Sequence, residues 1–219
     1  MKPLASSSSR EKILSRIRQA LTHTTPPPFP ELIEPDSYFV KQDEDLAVQF
    51  AEQFSALQGK FVYCLTLADL YQNLSALIQN KGWASIYWND PQIDTWLKPM
   101  DLQPTNDLPG CDASITSCDF LIARTGSVLL STGSGGSRTS SVYAPIHITI
   151  AHCDQLVPDL PQLFSQLKTK YGNQLPSFLS LASGPSRTAD IEKTLVTGIH
   201  GPKEIYLFLV ESLNNMRGI

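Results

Sequence analysis

The chain has 219 residues, of which 42% are hydrophobic and 9% aromatic. That is enough apolar material for one large domain, or one domain with an appendage, around a real core. A net charge of −4, without any block of like charge, excludes the basic stripe that a nucleic-acid surface needs. No apolar run approaches the ~18 residues needed to span a bilayer. Arg10, Glu11 and Lys12 are followed by no apolar signal region, so a cytoplasmic location is the default expectation.

Residues 8–22 read as a helix: Ser8 and Glu11 have capping-box spacing, and Ile13, Leu14, Ile17 and Leu21 share a face. Pro26-Pro27-Pro28-Phe29-Pro30 ends it as a stiff, extended linker. The expected organisation is therefore an arm and linker over 1–30 and an α/β domain over 31–219. In that domain, Asp45 to Leu57 reads as a helix and Phe61 to Leu65 as a buried strand. Thr66 caps a further helix that Gly82 ends, and Ala84 to Trp88 is a second strand. This strand–helix–strand rhythm implies a parallel sheet. Pro91 to Met100 is a short helix.

From residue 111 the texture changes to short strands and small-residue turns. Ala113–Thr116, Phe120–Ala123, Val128–Ser131 and Ile146–Ala151 are strands, with a tight turn at Thr125-Gly126. Pro158 to Tyr171 is a helix, Phe178 to Ala182 a strand, Thr188 to Val196 a short helix and Ile205 to Val210 a last buried strand. The expected fold is a three-layer α/β/α domain with a mostly parallel sheet and an inserted or edge antiparallel portion.

Two loops carry oxyanion chemistry. Gly133-Ser134-Gly135-Gly136-Ser137-Arg138 combines glycines that can turn N–H groups inward with a guanidinium fork, although a flexible hairpin has the same composition. It matches neither phosphate-binding glycine fingerprint. Gly184-Pro185-Ser186-Arg187-Thr188-Ala189-Asp190 follows a strand. Ser186 or Thr188 can cap a helix there, whereas Arg187 at a helix start wants an anion beside it or a carboxylate partner. Both loops follow strands, which places them at comparable ends of the sheet, where a shared pocket would form. His200, on a Gly-His-Gly-Pro loop, and Asp190 are candidate acid–base groups. Cys64, Cys111, Cys118 and Cys153 contain no C-x-x-C pair, and His147 and His152 lack a third ligand, so no metal is expected on this chain.

The run Thr116-Ser117-Cys118-Asp119-Phe120-Leu121-Ile122-Ala123-Arg124-Thr125-Gly126-Ser127, the loop to Arg138, Pro145-Ile146-His147, Gly184 to Glu192 and His200-Gly201-Pro202 together resemble the LUD-domain family, in particular its lactate-utilisation protein C branch. The resemblance implies the α/β/α fold shared with ribose-phosphate isomerases and CoA transferases. It also implies a role in oxidising L-lactate to pyruvate beside iron–sulfur partner proteins that carry the clusters, with no cofactor held by this chain alone. The candidate anion-binding residues are Thr125, Gly133 to Arg138, Ser186, Arg187 and Thr188. Arg124 departs from the glutamate frequent in the family, and would add to the anion-binding charge. An independent enzyme acting on a phosphorylated or CoA-linked molecule, an assembly or regulatory module, and a homo-oligomer all stay open.

Overall fold

The computed structural model describes residues 9–22, 45–133, 138–188 and 196–211. Two units divide between Gln42 and Asp43. In the first, helix α1 (Ser9–Ala20) carries Ile13, Leu14 and Ile17 exposed on its surface. The expected Ser8 cap and the proline linker lie outside the described residues.

In the second unit, most helix ends fall where short polar side chains or a glycine set them. Asp45 accepts from Ala47 N at the start of α2 (Leu46–Ala56). Thr66 and Asp69 form a full capping box on α3 (Leu67–Lys81), and Gly82, at φ +65°, ends that helix in the left-handed conformation. Asp90 accepts from Gln92 N and Ile93 N ahead of α4 (Pro91–Leu97). A four-residue turn of helix, α5 (Ser140–Tyr143), precedes α6 (Leu160–Tyr171), which Asp159 caps.

The central sheet has five strands, all parallel, in the order β1 (Lys60–Cys64), β11 (Glu204–Val210), β6 (Ile146–His152), β3 (Ala113–Thr116) and β2 (Ile86–Tyr87). A second, mixed sheet has the order β7 (Leu156–Val157), β4 (Phe120–Ile122), β5 (Ser127–Ser131) and β8 (Leu179–Ala182). Side-chain alternation on β11 divides the core. Tyr206, Phe208 and Val210 join Ile148 and Ile150 against α3 and α4. Ile205, Leu207 and Leu209 face the other way and meet Phe50 and Phe54 of α2 with Leu121, Val128 and Leu130 of the second sheet. The far side of that sheet closes on Leu163 and Leu167 of α6. Each fully buried Leu or Phe stabilises the fold by about 1.5–3 kcal/mol, which accounts for a central strand as apolar as β11.

The protein is thus α/β with a mostly parallel central sheet. Three details differ from the sequence reading. β1 and β2 run parallel but occupy opposite edges, because β3, β6 and β11 insert between them. The antiparallel strands form their own sheet and do not extend the edge of the parallel one. The expected helix over 188–196 begins and ends as strand: β9 (Arg187–Thr188) pairs antiparallel with β10 (Val196–Thr197), and 189–195 lie outside the described residues.

Candidate functional site

The described ends of the two arginine loops leave opposite ends of one strand ladder. β5 and β8 are antiparallel, with Ser131 opposite Leu179 and Val128 opposite Ala182. The loop leaving β5 therefore emerges at one end of this ladder and the loop leaving β8 at the other. The expectation of one shared pocket assumed that both strands run the same way, whereas the register is antiparallel; 134–137 and 189–195 lie outside the described residues.

At the first end, Gly133 N donates to Ser131 Oγ at 2.9 Å, and the glycine lies so close to the Tyr171 hydroxyl that no Cβ would fit. Tyr171 in turn donates to buried Asp119 at 2.9 Å, and Lys170 pairs with the same carboxylate at 2.7 Å. Arg138 donates to Ser177 Oγ at 2.7 Å and lies 6.0 Å from the centre of the Phe178 ring. Ser134 to Ser137 lie outside the described residues.

At the other end, the Thr125-Gly126 turn packs on α2, and Ser127 Oγ and Ser183 Oγ share a hydrogen bond of 2.6 Å. Arg187 donates to the Leu57 carbonyl at 2.6 Å, beside Gly184, so its guanidinium serves the C-terminal end of α2. Arg124 pairs with Asp159, the cap of α6, at 2.8 Å. Arg124, expected to add to the anion-binding charge of these loops, thus neutralises a carboxylate at the start of α6. Thr188 belongs to the ribbon, and Asp190 lies outside the described residues.

His200 lines a cleft of about 440 Å³ with Val142, Tyr143, Ala144, Pro145, the rest of the 198–201 loop and Lys203, and Ser186 packs behind that loop. Ser186 knits one wall: its N–H donates to Pro202 O at 3.0 Å, its carbonyl accepts from Gly198 N at 2.9 Å, and Gly201 packs on its Cβ. Lys203 N donates to Pro145 O at 2.8 Å and joins the two walls. Gly198 takes φ +81°, and a Cβ there would strike the Lys203 stem, which lies across it. The result presents an imidazole and an ammonium beside the exposed apolar surfaces of Val142, Tyr143 and Ile199. This suits an anion with an apolar body. The cleft opens at the amino ends of β6 and β11, not at the carboxyl ends where ligands of open α/β sheets usually bind.

Beneath α5 lies a buried polar strip that sequence reasoning missed. Ser114 donates to Ser140 O at 2.6 Å, and Thr116 Oγ1 lies 2.9 Å from His147 Nε2. Burial pushes the His147 imidazole down to about 4, so it is neutral. The alternation Ser114, Thr116 and His147, Thr149 was the available signal, because polar residues at every second position of buried strands must face one another. Among the described residues no three His, Cys, Asp or Glu side chains are placed to hold a metal ion. Cys64, Cys111 and Cys118 are buried thiols, and burial raises Cys118 far above the usual thiol range.

The LUD domain family matches residues 103–210, the part that holds β3 to β11. Lactate utilization protein C of Exiguobacterium is 30% identical over 94% of this chain and 97% of its own length. The chain belongs to the LUD-domain family. Lactate utilization protein C of Halalkalibacterium halodurans is 34% identical over 58% of this chain, a match that spans 62% of that relative. A solved structure of a DUF162 family protein from Deinococcus radiodurans superposes with a TM-score of 0.59 at 19% identity, covering 78% of this chain and 99% of the other. It shares the fold. Within the LUD-domain match, the cleft takes His200, Gly201 and Lys203 from the approach to β11 and Ala144 and Pro145 from the approach to β6.

Proposed function

We propose that this LUD-domain protein is a non-cluster component of an L-lactate utilisation system. It binds a small carboxylate, or a carboxylate-bearing surface of a partner, in the cleft of His200 and Lys203, and it acts with iron–sulfur partner proteins. The reading is carried by the nearly full-length similarity to lactate utilization protein C of Exiguobacterium. Oxidation of lactate releases two electrons, which a redox centre must accept. On this reading that centre lies in the partners, and the role of this chain is to bind and orient. Lys203 supplies charge and His200 a hydrogen bond or a proton relay. Deleting the gene should abolish growth on L-lactate, and the wild-type chain should restore it while a His200→Ala/Lys203→Ala double variant does not. Lactate turnover by the purified protein with no partner added would overturn the proposal.

The cleft volume favours one further reading. About 440 Å³ is the size of a pocket for a ligand much larger than a three-carbon acid, which suits an enzyme acting on a phosphorylated or CoA-linked molecule. A thermal-shift panel of sugar phosphates, nucleotides, acyl-CoAs and hydroxy acids separates the two, since stabilisation by hydroxy acids alone eliminates the second.

A further inference from the structure

Among the described residues the two main sheets have four edges, and three of them are protected. β2 is two residues long, and its Ile86 carbonyl is already taken by Thr105 N at 2.9 Å. β7 is also two residues long and lies between Asp154 and Asp159. β1 opens with Lys60, which is fixed by Glu204. Short length and charge are the usual means of keeping an edge from pairing.

β8 is longer than β2 and β7 and its own segment is uncharged, the Arg138 guanidinium being held at Ser177 ahead of the strand. It is four residues long, and no charged residue occurs from Gly172 through Ser186. Its phase is fixed by Thr132 N donating to Phe178 O. Phe178 and Ser180 therefore turn their backbone groups toward β5, and Leu179 and Leu181 turn theirs outward. The side chains of Leu179 and Leu181 are 38% and 45% exposed. They share the face of Leu129 and Ser131, their partners in the ladder.

We propose that β8 is a self-association edge, on which two copies of the chain pair their β8 strands antiparallel about a two-fold axis through Ser180. The strand is self-complementary in this register. Leu179 stands opposite Leu181 of the second copy as a hydrogen-bonded pair, and Leu181 opposite Leu179 does the same. Ser180 meets its own copy as a non-hydrogen-bonded pair. The outward N–H and C=O groups of both leucines are satisfied, the four leucines cluster on one face, and two four-stranded sheets become one of eight strands. A one-residue slip would set outward groups against inward ones, so the register is specific.

The test is the solution mass of the full chain with two variants. Wild type should sediment at twice the chain mass at micromolar concentration and above. Leu181→Lys, at an exposed position, should keep the wild-type circular dichroism and weaken dimerisation by ~100-fold or more, since two-fold symmetry introduces the charge twice. Ser180→Cys should form a disulfide-linked dimer on mild oxidation, because directly opposed residues of a non-hydrogen-bonded pair lie within disulfide reach. A monomeric wild type, a Leu181→Lys variant that still dimerises, or a Ser180→Cys variant that fails to cross-link would each overturn the proposal. Retained dimerisation in Leu181→Lys would assign self-association to another surface.

Discussion

His147 shows how a single side chain records its surroundings. It lies on a central strand, 4% exposed, with Thr116 as its hydrogen-bonding neighbour. Its folded pKa of about 4 lies below the ordinary histidine value of 6.5, because burial penalises the imidazolium. The unfolded chain therefore binds a proton between those two values that the folded chain refuses. Stability must fall as pH drops from 6.5 toward 4, by about 3 kcal/mol once the interval is crossed, and must be independent of this group at higher pH. Urea denaturation at half-unit pH steps should show that slope in the wild type and a flatter one in His147→Gln. An equal slope in both proteins would show that another group is responsible. His200 is set instead on an exposed loop and lines the cleft.

At the scale of elements, local signals were legible where one residue sets one conformation. Thr66, Asp69 and Gly82 start and end α3 as their side chains dictate, and the Thr125-Gly126 turn forms where glycine permits φ +58°. The two glycines are not equivalent, though both are left-handed. A Cβ on Gly82 meets nothing within 4 Å, whereas one on Gly126 would lie 2.4 Å from Phe54 N in the backbone of α2. Gly82→Ala should therefore cost about 1 kcal/mol for backbone conformation alone. Gly126→Ala should cost about 3 kcal/mol or more, since α2 must move away from the second sheet and open the packing around Phe54. Thermal denaturation of the two variants checks the contrast, and similar melting temperatures would contradict it. The two ends of segment 188–196 pair as strand for a related reason. Ser186, Thr188 and Asp190 have the composition of a helix start, but Arg187 and Thr188 find strand partners in Thr197 and Val196, and tertiary pairing overrides local preference.

For the whole molecule, what the sequence left hidden was the relation between distant strands. Apolar runs and turns marked nearly every strand, yet nothing in Val128–Ser131 or Phe178–Ala182 states that they pair, or in which direction. That direction decides the site. Because β5 and β8 run antiparallel, the residues that look like two halves of one anion cradle leave from opposite ends of a five-residue strand, about 14 Å apart at ~3.4 Å per residue. Arg138 then anchors the start of β8 through Ser177, and Arg187 anchors the end of α2 through Leu57. If each arginine does only that, Arg138→Ala and Arg187→Ala should each cost about 1 kcal/mol of stability, and the double variant should lose the sum to within about 0.5 kcal/mol. Neither should change affinity for a carboxylate in the cleft, whereas Lys203→Ala should weaken it with little loss of stability. A coupling energy above about 1 kcal/mol between the two arginines, or its appearance only when an anion is added, would mean that both reach a common ligand after all.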